Sequence, residues 1–120
     1  MKALALALAL AAAPALAEPA FTFSAPGWEM GVGPAEVYAF QSFAPRPGAV
    51  ALSITLHAGP ARQLESLTAS SLGEMLTLRD GDGATLLETV LAEPIRRGAF
   101  AVTFADPGAA RRAAARMLGR

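Results

Sequence analysis

Cysteine is absent from this sequence of 120 residues. Its absence excludes disulfide bonds, thiolate ligands for a metal and a lipid anchor attached through cysteine. Disulfides are not required, because a chain of about 100 residues removes somewhat over 60% of its unfolded surface from water when it folds. Histidine is nearly absent too, and the single His57 has no His or Cys partner for a metal site. We therefore interpret His57 as an ordinary residue between a strand and a helix.

The sequence also has no marked excess of positive or negative charge. Ten basic residues balance ten acidic residues over the whole chain. Without residues 1–17 the chain loses only Lys2, and nine arginines then stand against ten acidic residues, a net charge of −1. Nucleic-acid-binding domains carry a clustered basic surface. We therefore expect no nucleic-acid partner.

The first 17 residues have the pattern of a cleavable signal peptide. Lys2 is followed by an unbroken run of alanine and leucine that ends at Pro14. Ala15–Ala17 then places small residues at the two positions that signal peptidase recognises. The apolar run is shorter than the ~20 residues that span a hydrocarbon core, which disfavours a permanent anchor. We predict cleavage after Ala17, export to the periplasm, and no stable membrane anchor afterwards.

Residues 18–47 are rich in proline, glycine and aromatic residues, which predicts an N-terminal extension with short strands. Phe21–Phe23 and Val37–Phe40 are the strand candidates. Ala25–Gly27 and Gly31–Pro34 are predicted turns, because proline fixes φ and glycine accepts positive φ.

The sequence pattern of residues 48–120 predicts one compact domain. Apolar residues alternate from Ala49 to Leu56, which indicates a half-buried strand, and they then recur at helical spacing over residues 60–72. Gly73 follows at the position of a left-handed helix cap. Asp106 and Pro107 are typical of the start of a second helix.

Three further strands are predicted between the two helices, over residues 75–78, 85–91 and 99–104. The Asp-Gly pairs of residues 80–83 are a strong hairpin signal between the first two. Together with the strand at Val37–Phe40, the order of elements is β-β-α-β-β-β-α. We therefore predict an α+β fold with a small antiparallel sheet and two helices packed on one face.

No group of residues in the sequence forms a recognisable catalytic motif. Ser66, Ser70 and Ser71 lack a general base at motif spacing. Asp80 and Asp82 resemble the start of a calcium loop, but the glutamate that such a loop needs falls within a strand, so we interpret both as turn residues. We predict a protein that is not an enzyme and that holds no cofactor and no metal.

Four apolar residues surround the predicted turns of the N-terminal segment: Trp28, Met30, Phe40 and Phe43. They could pack under a loop as part of the core, or they could form an exposed groove for an extended polypeptide. A sizeable exposed apolar patch indicates a binding site. Both interpretations stay open, and the four residues are the candidate polypeptide-binding residues.

The stretch from residue 50 to residue 119 shares the order and spacing of its elements with a known module. The corresponding elements are Val50–Leu56, Leu67-Thr68, Gly73, Met75–Leu78, Asp82-Gly83, Glu93–Ile95, Gly98, Phe100–Phe104, Ala109-Ala110 and Leu118-Gly119. This stretch resembles the head subdomain of the first periplasmic domain of SecD and SecDF, membrane proteins that assist Sec-dependent protein export. Thr89 departs from the family, which often has a proline there, and the family's proton-carrying transmembrane helices have no counterpart in the sequence.

The resemblance implies an interaction module, because in the family this head is thought to contact the unfolded chain that leaves the translocon. The expected partner is thus an unfolded or extended polypeptide or another periplasmic protein, and the expected role is accessory to protein export. The alternative is a small periplasmic regulatory or structural protein, such as an inhibitor or an envelope-complex subunit, with the same fold.

Overall fold

The computed structural model describes residues 19–120, and the predicted signal peptide with its cleavage site lies outside the described residues. Within them, no helix is long and apolar enough to cross a membrane. The elements in chain order are β1 (Phe21–Ala25), β2 (Trp28–Val32), β3 (Val37–Phe43), β4 (Val50–Leu56), α1 (Ala58–Ala69), β5 (Met75–Asp80), β6 (Thr85–Val90), β7 (Ala99–Phe104) and α2 (Pro107–Met117).

The strands form two antiparallel sheets. One sheet has four strands in the order β2-β1-β5-β6, and the other has three in the order β3-β4-β7. The predicted α+β class is confirmed, and the predicted order β-β-α-β-β-β-α is the order from β3 to α2. The sequence predicts one small sheet, whereas the structure has two, because β1 pairs with β2 and β5 and does not join β3 and β4.

The N-terminal segment contributes strands to both sheets. Phe23 on β1 is the register partner of Leu78 on β5, and Phe40 on β3 is the partner of Ile54 on β4. The buried residues of this segment belong to the same core cluster as those of the later elements. Residues before 48 and after 48 therefore fold around one core.

Gly31 lies within β2 and not in the turn that the sequence predicts. It is the register partner of Thr22, and β2 continues to Val32. A Cβ atom on Gly31 would come within 3.2 Å of the Pro19 side chain. Glycine therefore serves here to let the chain before β1 pack closely against the strand.

Aromatic rings join the two sheets. The ring of Phe23 on β1 meets the ring of Phe100 on β7 edge to face, with centroids 5.0 Å apart. Phe21 meets the same Phe100 ring at 6.1 Å, also edge to face. Edge-to-face pairs of this kind stabilise beyond the area that they bury. The core therefore forms where the two sheets meet.

The central strand β4 keeps the predicted alternation only in part. Leu52, Ile54 and Leu56 are buried and Thr55 is exposed, but Ala51, on the same face as Thr55, is buried as well. Both helices contact β4. Each helix turns one stripe of small and apolar residues inward, namely Ala61, Leu64 and Thr68 of α1 and Ala110, Ala113 and Met117 of α2.

Local hydrogen bonds determine where α2 begins and where α1 ends. α2 begins as predicted, with the Asp106 side chain accepting a 2.9 Å hydrogen bond from the Gly108 N–H. α1 ends at Ala69, earlier than predicted, because the Ser71 N–H turns back to the carbonyl of Thr68 at 3.1 Å. Gly73 then has φ of +86°, the left-handed conformation that the sequence predicts for it.

Candidate functional site

Two of the four candidate polypeptide-binding residues lie on β2. Met30 is only 6% exposed and belongs to the core. Trp28 is half-buried, and its Nε1 donates a 2.8 Å hydrogen bond to Oγ of Ser71 at the end of α1. These contacts give both side chains a role inside the fold.

The other two candidates lie on β3, in the other sheet. Phe40 is half-buried against the core, whereas Phe43 is 46% exposed. The structure therefore divides the four candidates between two sheets and does not bring them into one groove. Phe43 is the candidate most available to a partner.

Tyr38 is a large exposed residue that the sequence does not single out. It lies on β3, is 70% exposed, and its ring lies 5.5 Å from the ring of His57. His57 directly precedes α1 and makes no side-chain hydrogen bond there. Among the described residues, no group of three or more His, Cys, Asp or Glu residues is placed to hold a metal ion.

The Asp80–Gly83 segment forms the hairpin turn that the sequence predicts. Oδ1 of Asp80 accepts hydrogen bonds of 2.9 Å from the N–H groups of Asp82 and Ala84. The turn therefore uses the Asp80 carboxylate as a structural acceptor.

The Asp82 carboxylate lies at the hairpin tip between two arginines of α2. Oδ1 accepts a 2.8 Å bond from Nη2 of Arg116, and Oδ2 accepts a 2.9 Å bond from Nε of Arg112. The hydrogen bond from Arg116, followed by that from Arg112, holds the pKa of Asp82 below its ordinary value. The hairpin is thereby joined to the last helix.

Four strands have a hydrogen-bonded neighbour strand on one side only. β3 and β7 are the edges of the three-stranded sheet, and β2 and β6 are the edges of the four-stranded sheet. The sequences of β3 and β7 contain no charged residue. Each edge presents backbone N–H and C=O groups that another extended chain can use.

A groove of about 450 Å³ lies beside the end of β7. Its lining includes Leu86 of β6, Phe104 of β7 and Ala109 of α2, and the Asp82–Arg112 pair also lines it. The groove therefore combines an apolar lining with charged groups at the hairpin end. It contains no recognisable constellation of nucleophile and base.

The comparisons with known proteins agree with this architecture. Among solved structures, the chain is similar to the membrane component SecDF that enhances protein export, with a TM-score of 0.59 and 19% sequence identity. The chain has a SecDF-head-like fold. The similarity covers 71% of this chain and 39% of the SecDF chain. No protein-family model matches the sequence, and no curated protein matches it.

The resemblance seen in the sequence is therefore confirmed at the level of the fold. Identity of 19% carries no residue roles from SecDF to this chain. The features of this fold that a partner can reach are its strand edges and its exposed side chains.

Proposed function

We propose that this chain is a non-catalytic periplasmic domain that binds unfolded or extended polypeptide and acts as an accessory to Sec-dependent protein export. The observation that carries the proposal is the SecDF-head-like fold. SecDF itself is described as a membrane component that enhances protein export. The head that the sequence resembles is the part of that family thought to contact the unfolded chain.

The surface supports binding of an extended chain. A folded sheet can hold an extended polypeptide by adding it as a further strand, with backbone hydrogen bonds supplying affinity and little dependence on sequence. The three-stranded sheet offers two uncharged edges, β3 and β7, for such an addition. Phe43, exposed on β3, adds apolar contact area.

The affinity that such a surface needs is modest. A domain that releases its client binds with a dissociation constant on the order of micromolar or weaker, which corresponds to ~8 kcal/mol or less. Salt should matter little for an uncharged client segment, because backbone hydrogen bonds and apolar contacts are not screened.

An NMR titration of isotope-labelled residues 18–120 with an unfolded periplasmic precursor tests the proposal. We expect shifts at the backbone amides of β3 or β7 and at residues beside Phe43. A folded protein of similar size serves as the negative control, because it offers no extended segment. Absence of shifts at millimolar peptide, or shifts confined to the arginine-bearing face of α2, would reject the proposal.

A second candidate function rests on a different surface. Met75 and Val90 are directly paired across β5 and β6, and the Gly73 N–H bonds the Leu91 carbonyl at 2.8 Å, which brings Leu72 to the same end. Leu72, Met75 and Val90 are all about half exposed. A compact exposed apolar cluster fits one defined protein partner, as an inhibitor or an envelope-complex subunit would have.

Affinity capture from periplasm separates the two candidates. Export-related binding predicts translocon components or a mixture of unfolded clients. A regulatory or structural role predicts one defined partner, lost in a Met75→Ser variant and retained in a Phe43→Ser variant.

A further inference from the structure

β7 differs from the other three edge strands in the described part of the chain. β2 contains Glu29, β6 contains Glu88, and the pairing of β3 with β4 shifts register between Val37 and Ala39. Charged residues and bulges are the usual means by which proteins protect an edge from another strand. β7 has neither, since its six residues are uncharged and pair with β4 without a shift.

The backbone of β7 alternates between β4 and the open side. The Leu56 N–H bonds the Gly98 carbonyl at 3.0 Å. Because successive residues of an antiparallel strand bond to opposite sides, Phe100 and Val102 direct their backbone groups to β4. Ala101 and Thr103 therefore direct theirs to the open side.

The exposed side chains of β7 are small. Ala99, Ala101 and Thr103 are exposed, and each is small enough to leave the backbone beside it accessible. β6 of the other sheet also contacts β7, and the groove that Leu86, Thr103 and Phe104 line lies at the end of the strand. A strand that adds to β7 enters this groove beside Leu86 to reach the N–H and C=O groups of Ala101 and Thr103.

Opposite charges bracket β7. Arg97 lies two residues before the strand, is exposed, and has φ of +62°. Asp106 lies two residues after it, with a side chain that is 68% exposed. Arg112 is 3.9 Å from the Asp106 carboxylate, but it is bonded more closely to Asp82, at 2.9 Å.

We infer that the β7 edge takes, by antiparallel strand addition, an uncharged extended segment of a polypeptide that carries a basic residue before it and an acidic residue after it. The basic residue lies beside Asp106 and the acidic residue beside Arg97. This inference rests on the proposed function, since it names the binding edge and the class of segment that it accepts.

The spacing makes the two ends independent. A strand of six residues extends over about 20 Å, at ~3.4 Å per residue. The Debye length is about 10 Å at 0.1 M salt. Each end of the segment therefore meets a separate set of charges, Arg97 at one end and Asp106 with Arg112 at the other, so the order of charges along the segment favours one direction.

Antiparallel addition continues the pairing that both sheets already have. Every paired strand in the two described sheets is antiparallel to its neighbour. Antiparallel bonds are also slightly more stable per residue than parallel ones. In this direction the start of the segment meets the end of β7, where Asp106 lies.

Two blocked peptides test the inference, each with a core as long as the six residues of β7 and one further residue at either end. They share a core of alternating threonine and valine, and the first has Lys before the core and Glu after it, while the second has Gln at both ends. At low salt we expect the charged peptide to bind about threefold to tenfold more tightly, with the difference lost at about 1 M salt. A spin label beside the Lys should broaden the amide of Thr103 more than that of Ala99.

Two variants remove the bracketing charges without disturbing the fold. Arg97→Gly places in the turn the residue that a positive φ favours. Asp106→Asn keeps a side-chain oxygen for the start of α2, where asparagine caps as well as aspartate. We expect each variant to reduce the preference for the charged peptide by about twofold to threefold and to leave the affinity for the Gln peptide unchanged.

A pair of proline variants identifies the edge. Ala101→Pro removes an N–H from the open side of β7, and Ser42→Pro does the same on β3, since Ser42 also points away from β4 by the alternation of the register. We expect Ala101→Pro to weaken both peptides at least tenfold and Ser42→Pro to leave them unchanged, with circular dichroism confirming that both variants fold. Should Ala101→Pro fail to fold, the spin-label broadening on the parent protein identifies the edge.

The outcomes separate this inference from the proposed function. Equal binding of both peptides, or shifts on β3 in place of β7, overturns the inference and leaves polypeptide binding standing. If neither peptide binds and the unfolded precursor does not bind either, the proposed function is overturned as well.

Discussion

Asp82 at the tip of the β5–β6 hairpin accepts a 2.8 Å hydrogen bond from Nη2 of Arg116 on α2. The Arg116 side chain also packs against Gly81, where a Cβ atom would come within 2.6 Å of its guanidinium. The hairpin and the last helix are thus joined by an ion pair and by a close contact that glycine allows. Because the ionised carboxylate receives the bonds, the pKa of Asp82 is lowered.

The first prediction concerns the pH dependence of this contact. A carboxyl whose pKa is lower in the folded protein stabilises the fold above its ordinary pKa of 3.8, and this contribution is lost as the pH falls through the lower folded value. Asp82→Asn should therefore lower Tm at neutral pH, and parent and variant should converge in strong acid. Asp106→Asn, whose pair with Arg112 spans 3.9 Å, should change Tm less. Equal Tm values for parent and Asp82→Asn at neutral pH would contradict this.

Gly73 provides a prediction about backbone conformation alone. Its φ is +86°, and a Cβ atom there would meet nothing within 4 Å. Gly73→Val should cost ~1 kcal/mol or more, because a β-branched residue is strained at positive φ. Gly73→Asn should cost less, since asparagine tolerates this conformation. Thermal melts measure both, and a valine variant that melts with the parent would show that the turn does not require glycine.

Gly98 combines conformation with close packing. Its φ is +60°, and a Cβ atom would lie 2.6 Å from the Ala61 Cβ and 3.0 Å from the Leu56 Cβ. Gly98→Ala should therefore be more destabilising than Gly73→Ala, with a cost of roughly 1–3 kcal/mol from overpacking in addition to strain. Adding Ala61→Gly should recover part of the loss. If the double variant is no more stable than Gly98→Ala, the contact with α1 is not the cause.

Local signals explain which elements the sequence predicts. The β5–β6 hairpin follows from the Asp-Gly pairs of residues 80–83, and the start of α2 follows from Asp106 and Pro107, because turns and caps depend on neighbours in the chain. The pairing of β1 with β5 has no such signal, since Phe23 and Leu78 are far apart in sequence. Alternation identifies a strand but not its partner, so the sequence pattern does not distinguish one sheet from two.

The same limit applies to the candidate site. Trp28 and Phe43 lie close in sequence, but the chain between them crosses from one sheet to the other. Alternation in the sequence does not predict the exposure of Tyr38. The register of β3 shifts between Val37 and Ala39, which removes the regular inward and outward pattern. The open edge of β7 is likewise a property of the sheet order and cannot be read from its own six residues.

Processing of the N-terminus is a prediction from sequence. The small residues of Ala15–Ala17 predict cleavage after Ala17, so we expect the exported protein to begin at Glu18. Intact-mass measurement of protein from the periplasm checks this. Ala15→Arg together with Ala17→Arg should block cleavage and cause the precursor to accumulate. A periplasmic protein that retains Met1 or Lys2 would show that the segment is not removed.

Thr68 carries the last prediction, because its hydroxyl joins α1 to the segment before β7. Thr68 is fully buried, its Oγ1 donates a 2.8 Å bond to the Leu64 carbonyl, and the same oxygen accepts a 2.9 Å bond from the Ile95 N–H. Thr68→Val keeps the shape but leaves the Ile95 N–H without its acceptor, which should cost ~1–3 kcal/mol.

The serine variant at this position separates hydrogen bonding from packing. Thr68→Ser keeps the hydroxyl and removes one methyl group, so it should cost only ~1 kcal/mol. Urea unfolding followed by the fluorescence of Trp28, the single tryptophan, measures both variants. We also expect faster amide exchange at Ile95 in Thr68→Val than in Thr68→Ser, because only the valine removes the acceptor. A valine variant that is as stable as the parent, beside a destabilised serine variant, would mean that the methyl group and not the hydroxyl holds this segment to α1.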